Sequence, residues 1–319
     1  MAFNKKSKIF IAGINGLVGR SLKKCLLKHG YTNICGESSA LIDLRKSNDV
    51  IKFFNTEKPE IVINAAATVG GILANNKYPY NFCIDNSLIE CNIIENCLIN
   101  DIKKYIFLSS SCVYPKKSNQ PIKEEYLLRG KLEPTNEFYA IAKILGVKLC
   151  EAARKQFEKN YFSVFPCNLY GPHDNFDLET SHVIPALIRK IHEAKKYCVK
   201  EVELWGSGEP LREFLYVDDL SEGIVTLMQQ NKNETSYNIG SKREIKIYEL
   251  AQIIKNIIDY QGKLKWNKKM PDGTPRKKLE TSKINKIGWK EKHSLEDGLI
   301  KTYKWYLKNL KSLKEKKIN

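Results

Sequence analysis

The sequence predicts an α/β protein, a doubly wound parallel sheet with a smaller C-terminal α/β region beside it, and two observations carry that expectation. One is alternation: through the first half, short apolar runs of strand length take turns with longer stretches whose apolar residues recur at helical spacing. Repeating βα units of this length put the strands parallel, joined by right-handed crossovers. The other is a glycine turn, Gly13-Ile14-Asn15-Gly16-Leu17-Val18-Gly19, set between an apolar run and a helical stretch.

In chain order, Ile9 to Ala12 is the first strand and the glycines follow it. The first glycine permits a tight turn, the second lets the backbone approach a pyrophosphate, and the third allows close helix–strand packing. Helix 17–29, with Leu22, Leu26 and Leu27 on its apolar side, then points its N-terminus at the phosphates. A strand near 33–36, a helix at about 46–56 and the strand 61–65 come next. A long amphipathic helix, about 81–100, leads into strand 105–108, whose end delivers Ser109-Ser110-Ser111-Cys112. Helix 137–158 carries Tyr139 and Lys143, and Phe162 to Pro166 is the following strand. Ligands of such sheets bind at the carboxyl ends of the strands, where the glycine turn and the serine run both fall.

From about Leu169 the texture changes to loops and separated helices, punctuated by Gly171-Pro172, Gly206-Ser207-Gly208 and Pro271-Asp272-Gly273-Thr274-Pro275. The expected division is a nucleotide-binding unit over 1–168, rejoined by about 213–240, and a substrate-binding region over 169–319. Helix 218–230 and strand 237–239 are the segments expected to return.

A chain of 319 residues with 42% hydrophobic and 28% charged content can bury a full core. No stretch approaches the ~18 apolar residues of a membrane span, and the first residues show no apolar signal segment. The nine cysteines are scattered and mostly in apolar company, which reads as reduced thiols in the cytoplasm; none has metal-ligand spacing, so no metal is expected. The net charge of +17 raises the question of nucleic acid. The lysines are spread over the whole chain, however, and the densest run, Lys308 to Lys317, reads as a solvated end. The expectation is no nucleic acid and no membrane, only a basic surface that steers an anionic ligand.

Tyr139 and Lys143, four residues apart, share one helix face. An ammonium facing the same site lowers the phenol's pKa from about 10 and makes it a usable acid or base. A serine hydroxyl from the neighbouring strand end completes a donor set for a substrate oxygen. Such a set suits carbonyl/alcohol redox chemistry with a nicotinamide.

More specific stretches are 67–76 (ATVGGILANN), 110–116 (SSCVYPK), 132–137 (LEPTNE), 168–176 (NLYGPHDNF), 181–186 (SHVIPA), 205–208 (WGSG) and 271–277 (PDGTPRK). On these, over nearly its whole length, the chain resembles the GDP-L-fucose synthase family of extended short-chain dehydrogenase/reductases. Their Rossmann domain carries this G-x-x-G-x-x-G spacing. The resemblance implies 3,5-epimerisation of GDP-4-keto-6-deoxy-D-mannose, then NADPH-dependent reduction at C4, by a homodimer. It makes Cys112 the base and His182 the acid of the epimerisation, Tyr139 the proton donor at C4, Ser110 a hydrogen-bond donor to the C4 oxygen, and Lys143 the partner of the nicotinamide ribose. It implies cofactor contacts from Gly13 to Gly19 and at Asp43, Leu44, Ala65, Leu108, Ser109, Ser110, Ser111, Tyr139, Lys143, Pro166, Cys167, Asn168, Leu169 and His182. For the GDP-sugar it points to Asn168, Val183, Lys190, Trp205, Arg212, Asp272 and Lys277.

Two departures stand out. Bacterial members carry arginines where NADP's 2′-phosphate lies, and this chain has Asn15 and Glu37-Ser38-Ser39. A carboxylate there favours a free 2′-hydroxyl, so NAD(H) stays open beside NADP(H). Lys190 replaces a frequent arginine and loses its bidentate fork. The competing readings are an NAD-dependent nucleotide-sugar 4-epimerase or 4,6-dehydratase, which carries acidic residues where this chain has Ser111-Cys112, and a non-catalytic nucleotide-binding regulator, which would have lost Tyr139, Lys143 or Ser110.

Overall fold

The computed structural model describes residues 4–270 and 272–313. In chain order its strands are β1 (Ile9–Ala12), β2 (Ile34–Cys35), β3 (Ile61–Asn64), β4 (Lys104–Leu108), β5 (Asn160–Pro166), β6 (Asn168–Tyr170), β7 (Glu201–Trp205), β8 (Leu211–Tyr216), β9 (Ser236–Ile239), β10 (Glu244–Lys246), β11 (Lys263–Asn267) and β12 (Arg276–Lys277). The helices are α1 (Leu17–Lys28), α2 (Ser47–Glu57), α3 (Ile72–Lys77), α4 (Pro79–Ile99), α5 (Glu137–Phe157), α6 (Val183–Lys196), α7 (Val217–Met228), α8 (Ile247–Ile258), α9 (Ser282–Lys286) and α10 (Leu295–Asn309).

Six strands form one parallel sheet in the order β2-β1-β3-β4-β5-β9. The fold class read from the sequence is therefore the observed one. Every residue of β1, β3 and β4 is buried, which is why those runs, apart from Asn64 and Lys104 at their ends, are apolar throughout rather than alternating. The chain steps one way from β1 to β2 and the other way from β3 to β5. Right-handed crossovers then put α1 on one face, with α7 packed on it, and α4 and α5 on the other. The reversal leaves a crevice at the carboxyl ends of β1 and β3, the usual ligand position.

Only Cys167 separates β5 from β6, yet β6 leaves the main sheet and pairs with β8. β8 also holds β10 and β12, and β7 pairs with β11. Two apolar cores result. One surrounds the main sheet and includes Leu220, Ile224, Tyr237 and Ile239 of α7 and β9. The other gathers Ile188, Leu204, Phe214, Leu250, Ile254 and Tyr306. Lys308 lies in α10, whereas Lys314 to Lys317 and Pro271 fall outside the described residues.

Candidate active site

Gly13 follows β1 at φ +77°, and a Cβ there would stand 2.9 Å from Ala65 O and Ala66 N. A Cβ on Gly19 would stand 2.1 Å from Gly13 O, so α1 can lie against the turn only with glycine at that position. Gly16 differs: its nearest protein neighbour would be Gly13 O at 3.4 Å, and the space beyond is open. Gly16 caps α1, whose first turn, with Leu17 and Val18, holds no acidic side chain. That is an open, positively polarised helix N-terminus at a topological switch point.

Ala65, whose N–H donates to Ala12 O at 3.1 Å, flanks the turn. Leu108 ends β4, Pro166 ends β5, and the Cys167 N–H donates to Ile239 O at 3.0 Å. Leu169 packs on the main core. Ser109 donates its N–H to Val164 O, but its buried Oγ has no partner. An open cradle and an orphaned hydroxyl at the strand ends fit a dinucleotide. Further out, Asp43 binds Arg45 through two contacts of 2.9 and 3.0 Å, and Arg45 reaches Asp85 at 3.3 Å. Leu44 packs on the core and its carbonyl accepts from Asn92. Beside the turn, exposed Arg20 donates to the Asn15 carbonyl at 3.0 Å, a cation the sequence reading passed over, while Glu37 is exposed past β2.

The serine run ends in a 3₁₀ turn over Ser111–Val113, capped by Ser110, whose Oγ accepts from Cys112 N–H at 3.2 Å. Tyr139, one turn into α5, sits edge-on to Phe82. Burial pushes its phenol well above the ordinary value, negative charge at Cys112 or Glu90 adds to the rise, and a hydrogen bond with Ser110 offsets part of it. The Lys143 ammonium lies 2.8 Å from Glu90 Oε1, both side chains almost fully buried.

Cys112 is half-buried and enclosed by donors. Asn136 Nδ2 lies 3.4 Å from its Sγ and Lys277 Nζ 3.8 Å. Arg212, whose guanidinium is made less basic first by burial, also senses Cys112. Lys277, expected on the GDP-sugar, thus stands beside the thiol. Asn136 escaped the sequence reading, although it lies in 132–137 and three residues before Tyr139, on the same face of the helix entry.

His182 caps α6 and Val183 opens it, half-buried. The imidazole is open to the cleft, yet the surrounding walls desolvate it and lower its pKa. Gly71 N–H donates to Thr180 O at 3.0 Å, which ties the loop before α3 to the segment leading into His182. Of the remaining predicted residues, Trp205 is 42% exposed, so its ring is an available surface and not a core filler. Lys190 Nζ lies 4.4 Å over that ring. The Asp272 carboxylate is already engaged by Ser207 N–H and Oγ at 2.7 and 2.8 Å, and its carbonyl faces Arg212. Asn168 donates to Glu213 O at 2.9 Å, which joins β6 to β8.

This arrangement has counterparts. Residues 9–240 match the NAD dependent epimerase/dehydratase family. GDP-L-fucose synthase 1 of Arabidopsis thaliana is 50% identical over 307 residues, 96% of this chain and 95% of that enzyme. The GDP-L-fucose synthase of Escherichia coli K12 is 45% identical over 313 residues, 95% of this chain and 98% of that one. The chain belongs to the GDP-L-fucose synthase family. A crystal structure of a GDP-L-fucose synthetase from Naegleria fowleri, bound to NADP, superposes with a TM-score of 0.90 at 28% identity, over 99% of this chain and 98% of that one. Family membership sets aside the dehydratase and regulator readings. It agrees with a site that carries a thiol, not a carboxylate, after the serines.

Proposed function

We propose that this protein makes GDP-L-fucose: it epimerises GDP-4-keto-6-deoxy-D-mannose at C3 and C5 and then reduces C4 with NADPH. The observation that carries this reading is the cationic and amide shell around Cys112, set beside the Ser110–Tyr139 pair. The 4-keto group acidifies the hydrogens at C3 and C5. Cys112 removes each as its thiolate, whose charge Asn136, Lys277 and Arg212 hold, and His182 returns a proton to the opposite face. When bound, the dihydronicotinamide supplies the hydride that C4 receives. Tyr139 gives its proton to the forming alkoxide, Ser110 donates a hydrogen bond to the same oxygen, and Lys143, paired with Glu90 in the ligand-free chain, would serve the ribose hydroxyls once the dinucleotide is bound.

The glycine turn, the α1 N-terminus and Ser109 would hold the dinucleotide. Arg20 with Ser38 and Ser39 supports accommodation of a 2′-phosphate, against the charge of Glu37. Lys190 and Trp205 suit the GDP moiety as a cation and a stacking face. The reading extends to a nucleotide-binding unit over 1–168 rejoined by 213–240, a substrate region over 169–319, and a homodimer formed through α4 and α5. A cytoplasmic location accords with nine unpaired cysteines and with the lack of any membrane-length apolar helix among the described residues.

The test is consumption of NADPH and of NADH by the purified protein on addition of GDP-4-keto-6-deoxy-D-mannose. Oxidation of NADPH with formation of GDP-L-fucose is the expected result; oxidation of neither cofactor overturns the reading.

A further inference from the structure

The stretch 67–76 is among the most specific in the sequence, and nothing in the chemistry above uses it. It forms the turn between β3 and α3 together with most of α3, and one buried amide holds it in shape. Asn75 is 7% exposed. Its Nδ2 donates to the Gly70 carbonyl at 2.7 Å and to the Gly71 carbonyl at 3.0 Å, while its Oδ1 is buried with no partner. An acceptor left alone in the interior is a cost, so what this residue contributes is the pair of bonds from its NH₂. The turn so shaped is a socket for another segment. Gly71 N–H donates to Thr180 O at 3.0 Å, and a Cβ on Gly71 would stand 2.5 Å from Ser181 O. A Cβ on Gly70 would stand 2.8 Å from Ala74 Cβ and 3.3 Å from Thr180 O. Only glycines let the two segments approach this closely.

The gripped segment leads straight into His182 and is itself braced. Asp177 Oδ1 accepts from Thr180 N–H at 2.9 Å and from Thr180 Oγ1 at 2.8 Å, and Asn175 Nδ2 donates to Thr180 Oγ1 at 2.8 Å. Ser181 N–H donates to Asp177 O at 2.9 Å. His182 follows at once, its carbonyl accepting from Ala186 N–H at 3.1 Å as α6 begins. On another side α3 packs against the 3₁₀ turn Pro134–Asn136, and Asn136 Nδ2 lies 3.4 Å from Cys112 Sγ. The short helix is therefore the piece of structure shared by the surroundings of the thiol and of the imidazole.

We propose that Asn75 is a positioning residue for the epimerisation: by shaping the Gly70–Gly71 socket it fixes His182 on the face of the sugar opposite Cys112. This rests on the reading that Cys112 takes the protons at C3 and C5 and that His182 returns them. In each exchange a C–H bond breaks toward the sulfur and an enolate remains. Inversion follows only when an imidazolium N–H bond breaks and its proton forms the new C–H bond on the other face. With the imidazole displaced, the proton comes back from the sulfur instead, on the face it left. The carbon then trades its hydrogen with solvent through the thiol and keeps its configuration. A displacement of about 1 Å is enough to cost a positioned group most of its effect. The Ser110–Tyr139 pair is carried by the end of β4 and by α5, outside the socket, so reduction at C4 keeps its donors.

The experiment compares the parent with Asn75→Leu, which keeps the shape and removes both donors, and with Gly71→Ala, which keeps the amide and crowds Ser181. Each turns over GDP-4-keto-6-deoxy-D-mannose with NADPH in deuterated water. The amount of product inverted at C3 and C5 is divided by the deuterium incorporated there, both read by NMR and mass spectrometry. NADP binding is followed by thermal shift. In both variants the inverted fraction per deuteron is expected to fall on the order of 10-fold or more, while NADP binding matches the parent. An unchanged ratio in a variant that binds NADP overturns the proposal, whether the two rates hold or fall together. Should Asn75→Leu not fold, Gly71→Ala alone decides by the same ratio. His182→Gln is the reference and shows the same low ratio. If it inverts as the parent does, or if the parent neither exchanges nor oxidises NADPH, the underlying functional reading fails instead.

Discussion

Residues from three distant parts of the chain meet at the Cys112 sulfur, as its proposed role as the base at C3 and C5 requires. Asn136 enters from the start of α5, Lys277 from β12 and Arg212 from β8. Cys112→Ser keeps the size and loses the soft, easily ionised atom. Deuterium exchange at C3 and C5 is expected to fall on the order of 100-fold or more, with binding of NADP unchanged in a thermal-shift assay. Retained exchange would reduce Cys112 to packing. Ser110, Tyr139 and Lys143 could be picked out from spacing because a strand end and one helix turn place them, whereas Cys112 was given its role by the family resemblance. Glu90 and Asn136 could not, since their partners are set by tertiary packing. The signals available were local anomalies: an acid between Ile89 and Cys91 in an apolar helix, and Gly146 inside another.

At the level of elements, the phosphate-facing helix is held from behind. Ser21 Oγ lies 2.7 Å from both Asp218 and Ser221, Lys24 pairs with Asp218 at 2.8 Å, and Glu222 takes Lys28 at 3.0 Å and His29 at 2.9 Å. Cys25, His29 and Glu222 come within 4.8 Å of one another, but Glu222 already carries the Lys28 ammonium, a poor setting for a metal cation. Partial burial raises the Glu222 carboxyl, hydrogen bonds from His29 and Lys28 outweigh it, and the group is held at about 2. Its folded value lies below its unfolded one, so its stabilisation is present above about pH 4.5 and is lost as pH falls toward 2. Glu222→Gln is expected to lower the urea-unfolding free energy by on the order of 1–3 kcal/mol at neutral pH, and by progressively less in acid. A deficit independent of pH would assign the effect to packing. The elements of the first half were readable because buried parallel strands and amphipathic helices differ so plainly in period. The six-residue α3 and the two-residue β12 were not, because segments so short are stabilised by contacts and not by their own pattern.

Across the whole molecule, α4 and α5 pack on the sheet and on each other, yet Leu88, Phe138, Ile141 and Leu145 stay exposed. Such a patch suits a second copy of the same two helices. Leu145→Glu is expected to shift the mass in solution from two chains to one of 36.7 kDa; a parent already at that mass removes the dimer. The fold class was readable from repetition. The return of α7 and β9 to the first core could be inferred, but the pairing of β6 with β8 could not, since a strand one residue beyond β5 gives no local sign that it has changed sheets. One feature of the site also sets how the molecule ages. Burial pushes the thiols of Cys25, Cys35, Cys97, Cys150 and Cys167 up, and so protects them from electrophiles. Cys112 sits in a solvent-reachable cleft between cations, the setting that attracts peroxide and alkylating agents. If Cys112 is the proposed base, its exposed setting among cations also makes it the point at which oxidative damage would silence epimerisation first, while the rest of the fold stays intact.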